Sequence, residues 1–175
     1  IRNVLERSSA RETTMRVALG SICRKLLEDV GIEVGSRVVE IHDVKDKSPF
    51  SDTLSPNQLS AIADKSSVRC LNNHAEQAMI KTIDDAKASG DSVGGVFEVI
   101  ATGLPYGLGS YTQWDRKLHT RISAMMMSVN AFKGIEIGGG FGDAEQFGSK
   151  VHDEIGHDGK KFIRYSNNAG GIEGG

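Results

Sequence analysis

Cysteine, proline and long apolar runs are scarce in this 175-residue sequence, and each scarcity narrows what the chain can be. Only two cysteines occur, Cys23 and Cys70, with no CxxC pair and no Cys-rich framework. That excludes a disulfide-stapled secreted scaffold and points to a reducing, cytoplasmic setting, with Cys23 a small buried hydrophobe among apolar helix positions. No apolar run approaches the roughly 20 residues that cross a bilayer, and no apolar stretch of a signal peptide follows the charged opening. An excess of positive charge is missing too. The 21 Lys and Arg against 23 Asp and Glu leave a formal charge of −2, which argues against a general nucleic-acid binder. Of the three prolines, two fall in the polar segment 43–70, which reads as a loop with at most a short turn of helix.

Glycine is what the chain has in quantity. Its 21 copies crowd into "GGVFEVIATGLPYGLGS", "GIEIGGGFG" and "NNAGGIEGG", loops whose backbone must turn sharply or approach something closely. The length and the 38% hydrophobic content fit one globular domain over 1–175. Ser9, Ala10, Arg11 and Glu12 have the form of a capping box. Behind them Met15, Ala18, Leu19, Ile22, Cys23, Leu26, Leu27 and Val30 recur at helical spacing, and Gly31 supplies the stop, so a helix is predicted over 10–29. A strand follows in "GIEVGSRVVEIHDV", then a helix over 72–89 with Ala75, Ala78, Met79, Ile83 and Ala86 on one face. "GVFEVIATG" reads as a strand. Asp115 is expected to cap a third helix with Leu118, Ile122, Met126 and Val129 inward, and "KGIEIGG" as a closing strand. Helix and strand alternate three times, which leaves both α/β and α+β open. The tail over 142–175 shows little periodicity.

Stock motifs fail on spacing. "GIEIGGGFGDAEQFG" offers Gly138 and Gly140 for a dinucleotide fingerprint, but Asp143 stands where the third glycine belongs. There is no P-loop. His152 and His157 are five apart, not the four of a helical zinc pair, and His42, His74 and His119 are scattered among charged neighbours. The Met125–Met127 run reads as core filling. What stands out is "LERSSARETTMRVALG", where Arg7, Ser8, Ser9, Arg11 and Arg16 gather at a helix mouth. Cations, hydroxyls and free amides there make a seat for an anion. The other reading is solvated arginines paired with Glu6 or Glu12.

The chain resembles chorismate synthase. "ERSSARETTMR" is similar to that family's R-S-S-A-R-E-T signature. "GDSVGG" with "GLPYGLGS" and "WDRKL", then "MMSVNAFKGIEIGGGF", then "GSKVHDEI" with "NNAGGIEGG", follow three further blocks in order and spacing. The resemblance implies an α+β fold with helices layered between antiparallel β-sheets, here a partial core. It implies a lyase of the shikimate pathway of aromatic amino-acid biosynthesis. That enzyme would convert 5-enolpyruvylshikimate 3-phosphate to chorismate and phosphate by 1,4-elimination, with reduced FMN and no net redox change. A homotetramer is implied, with an external flavin reductase as one route to reduced flavin and NADP among the family's associated cofactors. Carried over residue by residue, the flavin contacts fall on Arg7, Ser8, Ser9, Asn130, Ala131 and Gly174, and the substrate contacts on Ala10 and Arg11.

The resemblance also implies two general-acid histidines, in G-E-S-H-G and P-G-H-A-D motifs, and a catalytic Asp in an R-S-D segment. None of these motifs occurs here, so no catalytic residue is assigned. The chain is expected to be the central portion of the family's polypeptide, with both ends cut and little turnover of its own. The alternative is a non-catalytic flavin- or anion-binding module, or an oligomerisation core.

Overall fold

The computed structural model describes residues 1–50 and 53–175; positions 51 and 52 of the segment read as a loop lie outside the described residues. In chain order the elements are α1 (Arg2–Ser8), α2 (Ala10–Asp29), β1 (Glu33–Ile41), β2 (Val44–Lys45), α3 (Pro56–Ala63), α4 (Asn73–Ser89), β3 (Gly95–Thr102), α5 (Leu118–Met127), α6 (Gly148–Val151), β4 (Ile155–His157) and β5 (Phe162–Arg164). Short 3-10 segments occupy Trp114–Arg116 and Gly140–Glu145. The strands form a three-stranded sheet in the order β2-β1-β3 and a separate β4-β5 hairpin. Every pairing among the described residues is antiparallel, which settles the open choice as α+β. No described helix is long and apolar enough to cross a membrane. The residues group into two compact units, one of Ile1–Val17 with Pro105–Gly175 and one of Ala18–Leu104.

In the second unit the local signals work as read. The α2 helix stops where predicted, with Gly31 at φ +83 and the Ile32 N–H reaching back to the Leu27 carbonyl at 2.8 Å. Asn72 caps α4 through the N–H groups of His74 and Ala75, and Gly90 ends it in the left-handed region. α3 lies inside the segment read as a loop with a short turn of helix, and at eight residues it is longer than that turn. Ser55 and Gln58 form a full capping box with Pro56 at the first helical position, a start signal present in "SPNQ". This helix supplies the core: Leu59 and Ala63 are fully buried with Met79, beside Ile32 and Cys70.

Three expectations are corrected here. Cys23 is exposed, and no residue of α2 is buried; Ile22 and Leu26 remain 69% and 65% exposed. Helical spacing says which residues share a face, not whether a layer covers it. "KGIEIGG" is not a strand. Gly138 there adopts φ +62, which breaks an extended run, and Gly139 N–H makes one bond to the Asn168 carbonyl at 2.6 Å in place of a ladder. Asp115 likewise lies in a 3-10 turn, and Lys117 is the residue that precedes α5.

Two buried charged residues of this unit, Arg37 and Asp46, are hydrogen-bonded. Arg37 pairs with Glu98 at 2.7 Å and donates to the Ser48 carbonyl at 2.6 Å. Asp46 accepts the N–H groups of Ser48, Leu71 and Asn72 at 2.9, 2.6 and 3.2 Å, tying the β2 strand to the start of α4. Burial pushes the Asp46 carboxyl up, but the hydrogen bonds from Ser48, Leu71 and Asn72 outweigh it and hold the group below its ordinary value. With the folded value the lower one, the unfolded chain binds more protons between the two, so this stability is present above about pH 4 and is lost as pH falls through the folded value. Urea midpoints measured from pH 7 down to pH 3 should therefore fall steeply for the wild type. Asp46→Asn should begin lower at pH 7 and lose less on acidification; parallel curves would contradict the assignment.

Candidate functional site

The first unit gathers the sequence-marked residues around a break between two helices. Ser9 sits at φ −93°, ψ 161°, extended, between α1 and α2. Its N–H donates to the Leu5 carbonyl and its carbonyl accepts the Glu12 N–H, each at 3.1 Å, so this one residue closes the first helix and opens the second. The predicted capping box is not formed. α1 has already taken the Ser9 N–H, and the Glu12 carboxylate takes Arg16 Nε through both oxygens, at 3.0 and 2.8 Å. Ser8 turns its hydroxyl back to the Val4 carbonyl at 3.0 Å.

The arginines of the cluster divide between paired and unpaired ones among the described residues. Arg11 pairs with Glu6 at 3.1 Å and Arg16 with Glu12, as solvated arginines would. Arg7, in the last turn of α1 where the helix dipole favours a cation, is different. Its guanidinium and the Ser9 hydroxyl have no hydrogen-bond partner among the described residues. A cavity of about 410 Å³ lies here, lined by Glu6, Arg7, Arg11, Glu12 and Met15.

Asn130, more than a hundred positions away, closes the site. Its Nδ2 donates to the carbonyls of Arg7 and Ser9 at 3.1 and 3.0 Å. Both neighbours are acceptors, so only the amide NH2 can face them, and Oδ1 accepts no bond among the described residues. A second tie runs from Arg16 Nη1 to the Ser128 hydroxyl at 2.7 Å. Next in sequence, Ala131 is held at φ +71, a left-handed conformation that costs a non-glycine residue about 1–2 kcal/mol. Ala10 is the exposed first residue of α2.

Gly174 is not brought to this cluster. Its neighbour Gly175 accepts the N–H groups of Ser110 and Leu118 at 2.9 and 3.4 Å, at the start of α5, whereas Asn130 lies past the other end of that helix. At 1.5 Å per residue, ten residues of helix separate the two places by about 15 Å. Of the histidines of this unit, His152 and His157 are exposed and His119 is half-buried. His157 packs edge-on against Phe162 at 5.3 Å and accepts the Gly159 N–H at Nδ1. Residue-level reading missed Asp153, a buried carboxylate beneath the terminal glycine loop; the signal was an acid in "HDEI" followed by donor-rich "SNNA".

Comparison with known proteins gives one consistent answer. A family model described as chorismate synthase matches residues 1–175. "Chorismate synthase 2" of Bacillus cereus is 54% identical over 176 aligned residues, covering 100% of this chain and 45% of that protein. "Chorismate synthase 1" of Bacillus anthracis is 53% identical with the same coverage. A solved structure described as "Crystal Structure of Chorismate Synthase" superposes with a TM-score of 0.91 at 48% identity, covering 99% of this chain and 54% of that one. The chain thus spans about half the length of the relatives it matches.

Proposed function

Since the chain belongs to the chorismate synthase family, we propose that the protein it is part of is a lyase that converts 5-enolpyruvylshikimate 3-phosphate to chorismate and phosphate with reduced FMN bound. The observation that carries this reading is the Asn130 clamp on Arg7 and Ser9, which assembles the residues that the resemblance marks as flavin contacts. The groups present suit an anionic, flat-ringed ligand: a guanidinium on Arg7 and a hydroxyl on Ser9 without partners among the described residues can donate to it, the amide oxygen of Asn130 can accept from a ring N–H, and the backbone is strained at Ala131. Arg7, Ser8, Ser9, Asn130 and Ala131 would hold the flavin, with Gly174 contributing from the other end of α5. When bound, reduced flavin supplies transient electron density to a substrate that is losing phosphate, with no net redox change.

Arg11 and Ala10 would meet the substrate. The Arg11–Glu6 pair is half exposed on both sides, and such pairs are worth only about 0–1 kcal/mol. Exchanging Glu6 for a phosphate or carboxylate of the substrate is therefore cheap, and an arginine fork suits either group. The elimination breaks the carbon–oxygen bond to phosphate and removes one ring proton. No residue of this chain is assigned that proton transfer, a step worth about 10² to 10⁴ in rate. A cytoplasmic setting, a homotetramer and supply of reduced flavin by an external reductase go with this reading.

The test is an anaerobic incubation with chemically reduced FMN and 5-enolpyruvylshikimate 3-phosphate. The 175-residue chain is expected to form chorismate no faster than a protein-free control, and a polypeptide of the relatives' full length to turn over. Turnover by the chain alone would overturn the account of where proton transfer resides. Failure of the full-length protein to bind FMN would overturn the flavin reading. Flavin binding without turnover at full length would favour a non-catalytic flavin module.

A further inference from the structure

The terminal glycine loop has an anchor that neither the resemblance nor the comparisons assign. Residues 166–175 include Gly170, Gly171, Gly174 and Gly175 at φ +63, +76, +71 and +109. Four left-handed glycines in ten positions hold one shape only if the surroundings impose it. Three constraints do. Asp153, 8% exposed just before β4, accepts the Ser166 hydroxyl at 2.5 Å and the N–H groups of Asn168 and Ala169 at 2.7 and 2.9 Å. Arg164, at the end of β5, donates to the Asp153 carbonyl at 3.0 Å and pairs with Glu173, the residue before Gly174. Gly138 lies so close to the Asn168 carbonyl and Gly170 that a Cβ would have no room.

We propose that Asp153 is the positioning residue of this loop: its carboxylate fixes residues 166–169, and the Arg164–Glu173 pair hung on its backbone sets Gly174 before any ligand arrives. The flavin consequence rests on the reading of Gly174 given above. Only a carboxylate serves here. An amide would turn an NH2 toward at least one of three donors. Burial pushes the Asp153 carboxyl up, yet the bonds from Ser166, Ala169 and Asn168 outweigh it and hold the group in its charged form.

The test compares wild type, Asp153→Asn and Asp46→Asn in the full-length protein, well below their melting temperatures. Asp46 is a buried acid of the other unit and controls for general destabilisation. Without flavin, amide exchange at Asn168–Gly175 should quicken at least tenfold in Asp153→Asn and less than twofold in Asp46→Asn. FMN affinity, read by quenching of flavin fluorescence, should weaken about tenfold in Asp153→Asn only. Unchanged exchange, or equal losses in both variants, would overturn the positioning role. Quickened exchange with no flavin binding even by the wild type would instead overturn the flavin reading and leave the positioning intact. Should Asp153→Asn not fold, Arg164→Gln cuts the Glu173 tie and the bond to the Asp153 carbonyl while leaving the carboxylate's three bonds in place, and exchange at Glu173 and Gly174 should quicken about threefold; no change there would overturn the proposal.

Discussion

Replacing Gly35 by alanine is expected to destabilise the protein by about 3 kcal/mol, at the upper end of what overpacking costs. Gly35 lies in β1 opposite Ile100 of β3, and α3 crosses directly above it. A Cβ built there would land on the carbonyl of Pro56, with Pro56 Cα at 2.9 Å. These are backbone atoms, so no side chain can rotate out of the way. The helix is pinned where it is by Ser36 N–H to the Ser60 hydroxyl at 3.0 Å, and it carries the fully buried Leu59 and Ala63. Relief requires either lifting α3 off its core or bulging β1 against β3. Urea unfolding should show a lower midpoint with little change in slope. The same substitution at Gly20, inside α2 with nothing within 4 Å of the new methyl, should instead stabilise by about 0.5–1 kcal/mol through helix propensity. Equal effects at the two sites would mean that α3 is not seated as described.

Asn130→Asp is expected to weaken FMN binding about 100-fold and to lower the melting temperature more than Asn130→Ala does. Alanine removes two donors, leaving the Arg7 carbonyl to water and the Ser9 carbonyl with the Glu12 N–H alone, a loss of about 0.5–1.5 kcal/mol per bond. Aspartate has nearly the same shape but sets a carboxylate against both carbonyls, so repulsion adds to the lost bonds. The extended break at Ser9 would open, and with it the juxtaposition of the Arg7 guanidinium, the Ser9 hydroxyl and the strained Ala131. Titrations of FMN into the full-length variants, with melting curves beside them, decide the matter. Weaker melting with unchanged flavin affinity would make the clamp structural only. Affinity lost by Asp but kept by Ala would show that charge at this point, not the hydrogen bonds, is what the site rejects.

Much of this molecule was legible before folding was considered. The end of α2, the bounds of α4, the strands β1 and β3 and the stops at Gly31 and Gly90 follow from periodicity and caps, which act within a turn or two of chain. The family, too, was carried by motifs alone. α3 was equally local, its box and proline written in "SPNQ", but the two prolines and polar surroundings read as a loop. The rest depended on partners distant in sequence. Whether the apolar side of α2 and Cys23 are covered, whether "KGIEIGG" finds a strand to pair with, and whether Glu12 turns to Ser9 or Arg16 are choices between local signals and their competitors. So it is with the candidate site. Arginines and serines at a helix mouth are visible in the chain, but only tertiary structure unites Asn130 with Arg7 and Ser9, sends Gly174 to the far end of α5 and hangs a glycine loop on Asp153. A hydrogen bond across more than a hundred residues leaves no periodic trace, because its geometry belongs to the fold that closes it and not to either segment.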